Sequence, residues 1–212
     1  MTDTAKFYRH LIRIFFVWIL LGIVVAGFTL AGVEMSKITR DPTRLAHVPY
    51  YYGFLSNLGI LVWAAGAFIP FFSSFHVHVM KVKGLLRGAG ILTLILLLDD
   101  FFLFHETIAP KVLHIPESVV YLSYLVAFAV FFFRHLHVIL KRTEYWILVL
   151  GTFLGGVAVL IDAKFLPGGK TNIDDILKLL GMVAYSYYWI MTSSQALSQN
   201  PRNSSANRAE SE

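Results

Sequence analysis

Apolar stretches at about 12–33, 51–73, 85–105, 117–134, 145–163 and 173–197 follow one another with only short polar connections between them. Each is long enough, or nearly so, for a helix to cross a hydrocarbon layer, which takes about 20 residues. Lipid offers no partners to backbone N–H and C=O groups, so segments of this kind satisfy them internally as helices. The expected architecture is an all-α integral membrane protein: a bundle of six transmembrane helices in a single domain over residues 1–197. Residues 198–212 are polar throughout and are expected to be a disordered tail.

Composition agrees with that reading. Hydrophobic residues make up 57% of the chain and charged residues 15%, too few to cover a soluble domain. The net charge of +5 sits in short loops between apolar runs, which is a topogenic pattern, so nucleic-acid binding is not expected. The absence of cysteine rules out disulfides, thiolate metal sites and cysteine nucleophiles. The first apolar run follows Lys6, Arg9 and Arg13 as a signal peptide would, but it is too long for one and lacks a cleavage site. It is expected to be a retained helix.

Orientation follows from the basic residues. Lys6, Arg9, Arg13, Lys81, Lys83, Arg87, Arg134, Lys141, Arg142, Arg202 and Arg208 fall on one side of the six-helix scheme. They outnumber Lys37, Arg40, Arg44, Lys111, Lys164 and Lys170 on the other side. Both termini are therefore predicted to be cytoplasmic, in a multi-pass protein of the bacterial inner membrane.

That orientation puts the intramembrane polar residues at one depth. Asp99, Asp100, His105 and Glu106 end the third helix, and Asp162 ends the fifth. Asp174, Asp175 and Lys178 begin the sixth, while Ser56 and Asn57 begin the second. All lie in the outer half, and the inner halves are nearly plain hydrocarbon. In a regular helix Asp99 and Glu106 would share a face, with Asp100 about 100° away. An acid at such depth needs a partner. Asp99 or Asp100 is thus expected to converge with Asp162 and the Asp174–Asp175–Lys178 turn on one polar pocket. Lys178 is the natural counter-charge there, although it could also pair with Asp174 one turn away. Gly151, Gly155 and Gly156 form a small-residue face suited to close helix packing, and His76, His78, His135 and His137 read as solvated loop residues.

Three functions of different class fit this cluster. As a metal-dependent hydrolase acting on a lipid, it would use Asp99, Asp100 and Lys178 in catalysis. His105, Glu106, Asp162, Asp174 and Asp175 would then ligate a divalent metal, with Ser56 and Asn57 as further binding groups. As a proton- or cation-coupled transporter or channel, it would use the paired carboxylates as carriers. As a non-catalytic membrane subunit, or a lipid- or pigment-binding protein, it would use them to lock helices or dock a partner subunit or a second copy. The lipid bilayer is the common partner of all three.

Two resemblances add to this. The segments "LLLDDFFLFHETIAP", "HIPESVVYLSYL" and "DDILKLLG" resemble a group of uncharacterised bacterial multi-pass membrane proteins over about residues 90–182. More remotely, Ser56-Asn57 and "SSFH" at 73–76 are similar to fragments of the alkaline ceramidase and progestin-receptor superfamily of seven-helix metal hydrolases. That superfamily implies a zinc site, but its paired late histidines are absent here and "SSFH" falls on the inner side, so its site is not carried over.

Overall fold

The computed structural model describes residues 3–40, 42–162 and 173–198, which are helical with no strand among them. Residues 163–172 and those beyond 198, where the polar tail is expected, lie outside the described residues. The chain divides into two compact units, Met1–Tyr52 and Gly53–Glu212.

The first unit contains α1 (Asp3–Leu30) and two short helices, α2 (Met35–Thr39) and α3 (Pro42–Leu45). Phe15, Phe16, Trp18, Leu21 and Ile23 of α1 are all exposed, as lipid-facing side chains would be. The helix ends at Gly32, whose φ of 79° is the left-handed conformation that glycine tolerates best. Val33 N–H bonds back to the Phe28 carbonyl and Gly32 N–H to that of Thr29, both at 3.0 Å, which satisfies the last carbonyls.

The second unit contains α4 (Phe54–Ser73), α5 (Met80–Phe102), a π-helical segment (Phe104–Val112), α6 (Glu117–Arg142), α7 (Tyr145–Asp162) and α8 (Ile173–Ser198). Two of these, α4 and α6, are long and apolar enough to cross a membrane, and α5 with its π-helical continuation makes a third if taken as one bent span. Shorter apolar helices cover Trp18–Leu30 and Tyr145–Ile161. These helices fit a membrane protein.

Helix α8 is central because small residues let its neighbours approach. A Cβ on Gly181 would sit 2.7 Å from the Gly155 backbone nitrogen, and one on Gly151 would sit 2.6 Å from that of Tyr185. On the other flank a Cβ on Gly66 of α4 would meet Ser186 Oγ at 2.4 Å. Tyr185, Tyr188 and Trp189 of α8 fill the resulting core with Leu85, Leu86, Ala89 and Phe131. Of the three glycines expected to pack closely, only Gly151 has to be small: a Cβ on Gly155 or Gly156 would meet nothing within 4 Å, although the Gly155 backbone lies against Gly181. His135 also departs from the solvated reading: it is half-buried, packs on the Phe131 ring and has Nδ1 3.0 Å from the Phe131 carbonyl oxygen.

The third expected helix is interrupted. It breaks at Leu103, and the π-helical segment leaves α5 at 69°. Leu103 takes φ 51° and ψ 44°, a left-handed conformation that costs a non-glycine residue about 1–3 kcal/mol unless its surroundings hold it. The Leu103 N–H bonds to the Asp99 carbonyl, while the Leu103 carbonyl accepts from Thr107 N–H at 2.8 Å and from Ile108 N–H at 3.3 Å. This bend is what positions the site.

The crossing of α7 and α8 can be tested by adding a single methyl. Gly181→Ala should lower the stability of the detergent-solubilised protein by about 1–3 kcal/mol through overpacking. Gly156→Ala, in open space, should leave the thermal midpoint unchanged or raise it.

Candidate functional site at the acidic end of the second unit

Asp99 lies on the last turn of α5 and is buried, with 7% of its surface exposed. A carboxylate in that position must find donors, because burying it unpaired would cost several kcal/mol. It finds three. Oδ1 accepts from the His105 backbone N–H at 3.0 Å and from the Tyr124 hydroxyl at 2.8 Å. Oδ2 lies 2.5 Å from His105 Nδ1. A regular helix could not deliver His105 to this point. The left-handed turn at Leu103 folds the chain back so that backbone and ring of one residue grip both carboxylate oxygens.

An ionised carboxylate only accepts, so Nδ1 of a neutral His105 is the protonated nitrogen and Nε2 carries the lone pair. Nε2 lies 3.6 Å from Glu106 Oε1, and the Glu106 side chain is half exposed. The imidazole is buried and packs on the Tyr121 ring at 5.1 Å between centroids. An accessible acid, a buried imidazole, a buried carboxylate and a phenol thus stand in one row.

Asp100 points away from that row and is satisfied separately. Its Oδ1 accepts from Lys178 Nζ at 2.5 Å, which links α5 to the second turn of α8. The carboxylate is almost buried, while the lysine side chain is 43% exposed and shields it from outside. Asp99 and Asp100 are consecutive residues on the last turn of α5. The row and the ion pair therefore form one site.

The sequence-predicted residues divide as follows. Asp99, Asp100, His105, Glu106 and Lys178 come together. Lys178 reaches across to Asp100 and makes no ion pair with Asp174 or Asp175, which are half-buried and exposed respectively. Ser56 and Asn57 are exposed on the first turn of α4, and no side-chain hydrogen bond joins them to the cluster. Asp162 is the last residue of α7, but its side chain lies outside those described. Among the described residues no three His, Asp or Glu side chains are arranged to hold a metal ion. Asp99 already spends both its oxygens on hydrogen bonds, and Lys178 occupies the place beside Asp100 where a cation would sit.

Tyr124 was not foreseen. Its only sequence signal is the spacing in "YLSY", which puts Tyr121 and Tyr124 on one face of α6 a short loop after the His-Glu pair. Tyr124 also lines an apolar groove of about 250 Å³ between α5 and α6, together with Leu92, Ile95, Leu96, Ser123 and Phe128.

A family model described as Domain of unknown function (DUF8692) matches residues 15–192. No curated protein and no solved structure matches the chain.

The ion pair yields a double-mutant test. Lys178→Met should destabilise the protein by about 1–2 kcal/mol, less than a fully buried pair would lose because the lysine is partly exposed. Asp100→Asn in the Lys178→Met background should recover most of that loss in chemical unfolding, since it removes the unpaired charge.

Proposed function

The chain belongs to the DUF8692 family, whose model covers every residue of the site, and we propose that it is a proton-coupled membrane transporter or channel. In this reading six spans, α1, α4, the bent α5 with its π-helical segment, α6, α7 and α8, place both termini in the cytoplasm of a bacterial cell. The acidic end then faces outward across the inner membrane.

One observation carries the proposal: the row Glu106–His105–Asp99–Tyr124 runs from a half-exposed acid to a buried carboxylate through an imidazole with one nitrogen on each side. Imidazole passes protons by accepting at one nitrogen and releasing at the other, and charged groups held inside membrane spans characteristically serve such transfers. Glu106 would collect a proton from the outer surface and, closing from 3.6 Å to hydrogen-bond distance, deliver it to Nε2, while Nδ1 releases its own to Asp99. Each transfer forms one bond to hydrogen and breaks another. Tyr124 steadies the Asp99 charge between transfers. The Asp100–Lys178 pair holds a second carboxylate beside the row, next along the chain from Asp99. Hydrolysis of a lipid has less support, because no metal-ligand set is assembled among the described residues.

Purified protein in phospholipid vesicles with a trapped pH-sensitive dye should acidify the lumen when a potassium diffusion potential makes the interior negative. His105→Asn should slow that acidification about tenfold or more, the equivalent of about 1.4 kcal/mol in the limiting barrier. Rates equal to those of protein-free vesicles for the wild type would refute the proposal.

A further inference from the structure

The relay occupies one end of the second unit, yet polar side chains continue through its core towards the other. The Asp100–Lys178 contact is one rung between α5 and α8. A second lies seven residues further on both helices, where Thr93 Oγ1 and Tyr185 OH are 3.2 Å apart and buried. From Tyr185 the inner face of α8 carries Ser186, Tyr188, Trp189, Thr192 and Ser193, none more than 3% exposed. The line ends where Tyr188 OH meets Thr143 Oγ1 at 2.8 Å, directly after the basic Lys141 and Arg142 at the end of α6.

Three atoms on this line, Ser186 Oγ, Trp189 Nε1 and Thr192 Oγ1, are buried without a hydrogen-bond partner. Trp189 Nε1 lies near the Tyr185 hydroxyl and Thr192 Oγ1 near that of Tyr188, short of full hydrogen-bond geometry. Each such atom costs about 1–3 kcal/mol when left unmatched, so three in one core need an explanation. Ordered water is the usual one, each molecule making about three hydrogen bonds to groups of this kind.

We propose that this line is a hydrated proton path along α8, joining the acidic site to the basic end of the second unit. The inference rests on the relay reading of the site. Tyr, Ser and Thr hydroxyls both donate and accept, so with intervening water they can hand a proton on, forming one O–H bond as another breaks. Trp189 only donates, and it orients a water. The Lys178 and Tyr185 rungs are about 10 Å apart along the helix, a gap that about three waters span at about 2.8 Å per link. Beyond Lys178 the side chains named on the line carry no charge, so they offer a metal cation no counter-charge, while each hydroxyl can both accept and release a proton.

The vesicle assay with trapped dye tests this on the full chain, using Tyr185→Phe and the double variant Ser186→Ala/Thr192→Val beside His105→Asn. Both path variants conserve shape, and if either fails to fold the other decides. Proton uptake about tenfold slower in the path variants, with unchanged thermal midpoints, is the expected result. If the path variants stay within about twofold of the wild type while His105→Asn is slow, the path is overturned and the relay stands. If His105→Asn is as fast as the wild type, or the wild type moves no protons, both fall together.

Discussion

Everything at the acidic end depends on one contact, the grip of His105 on the Asp99 carboxylate. A buried carboxylate near the end of an apolar helix is costly unless it is paired. Here it serves as the acceptor that the interrupted backbone needs, because His105 N–H, the first donor of the new segment to reach back, bonds to Oδ1. The same residue closes the ring through Nδ1 on Oδ2. The bend and the orientation of the imidazole are therefore one event. The unfavourable conformation of Leu103 is held by these bonds and the Leu103 N–H bond to the Asp99 carbonyl, consistent with strain being kept where surrounding contacts over-determine it.

Behind that contact lies a second constraint, the scarcity of polar partners in a core made largely of apolar helix faces. Dispersion and close approach hold these faces together. Gly151 and Gly181 supply the approach between α7 and α8, and Gly66 supplies it between α4 and α8. Other flanks of α8 meet hydroxyls instead: Thr93 of α5 bonds Tyr185, and Thr143 at the end of α6 bonds Tyr188.

The residues of the site were largely legible in the sequence, while their geometry was not. Acids buried at one depth must find counter-charges, and that argument alone brought Asp99, Asp100 and Lys178 together. The partner of Lys178 was less determinate. Asp174, one turn away, satisfies helix spacing, but the almost buried Asp100 gains more from the ammonium group than a half-buried acid near a helix N-terminus, where the helix dipole already helps it. The break at Leu103 left no mark, because leucine has no preference for the left-handed region and "FFLFHE" reads as continuous helix. Without the break, His105 and Asp99 point to different flanks, and so the central contact was invisible. Tyr124 was hidden for a related reason: a tyrosine in an aromatic-rich helix resembles an interfacial residue until its hydroxyl is seen on Asp99.

The tautomer of His105 tests the account most directly, because bend, row and relay all require Asp99 to hold Nδ1. Nitrogen-15 NMR of ring-labelled protein in bilayers reads which nitrogen bears the proton. In the neutral state Nδ1 of His105 should be protonated and Nε2 bare, and Asp99→Leu should abolish that preference. A wild-type His105 protonated on Nε2 with Nδ1 bare would contradict the account.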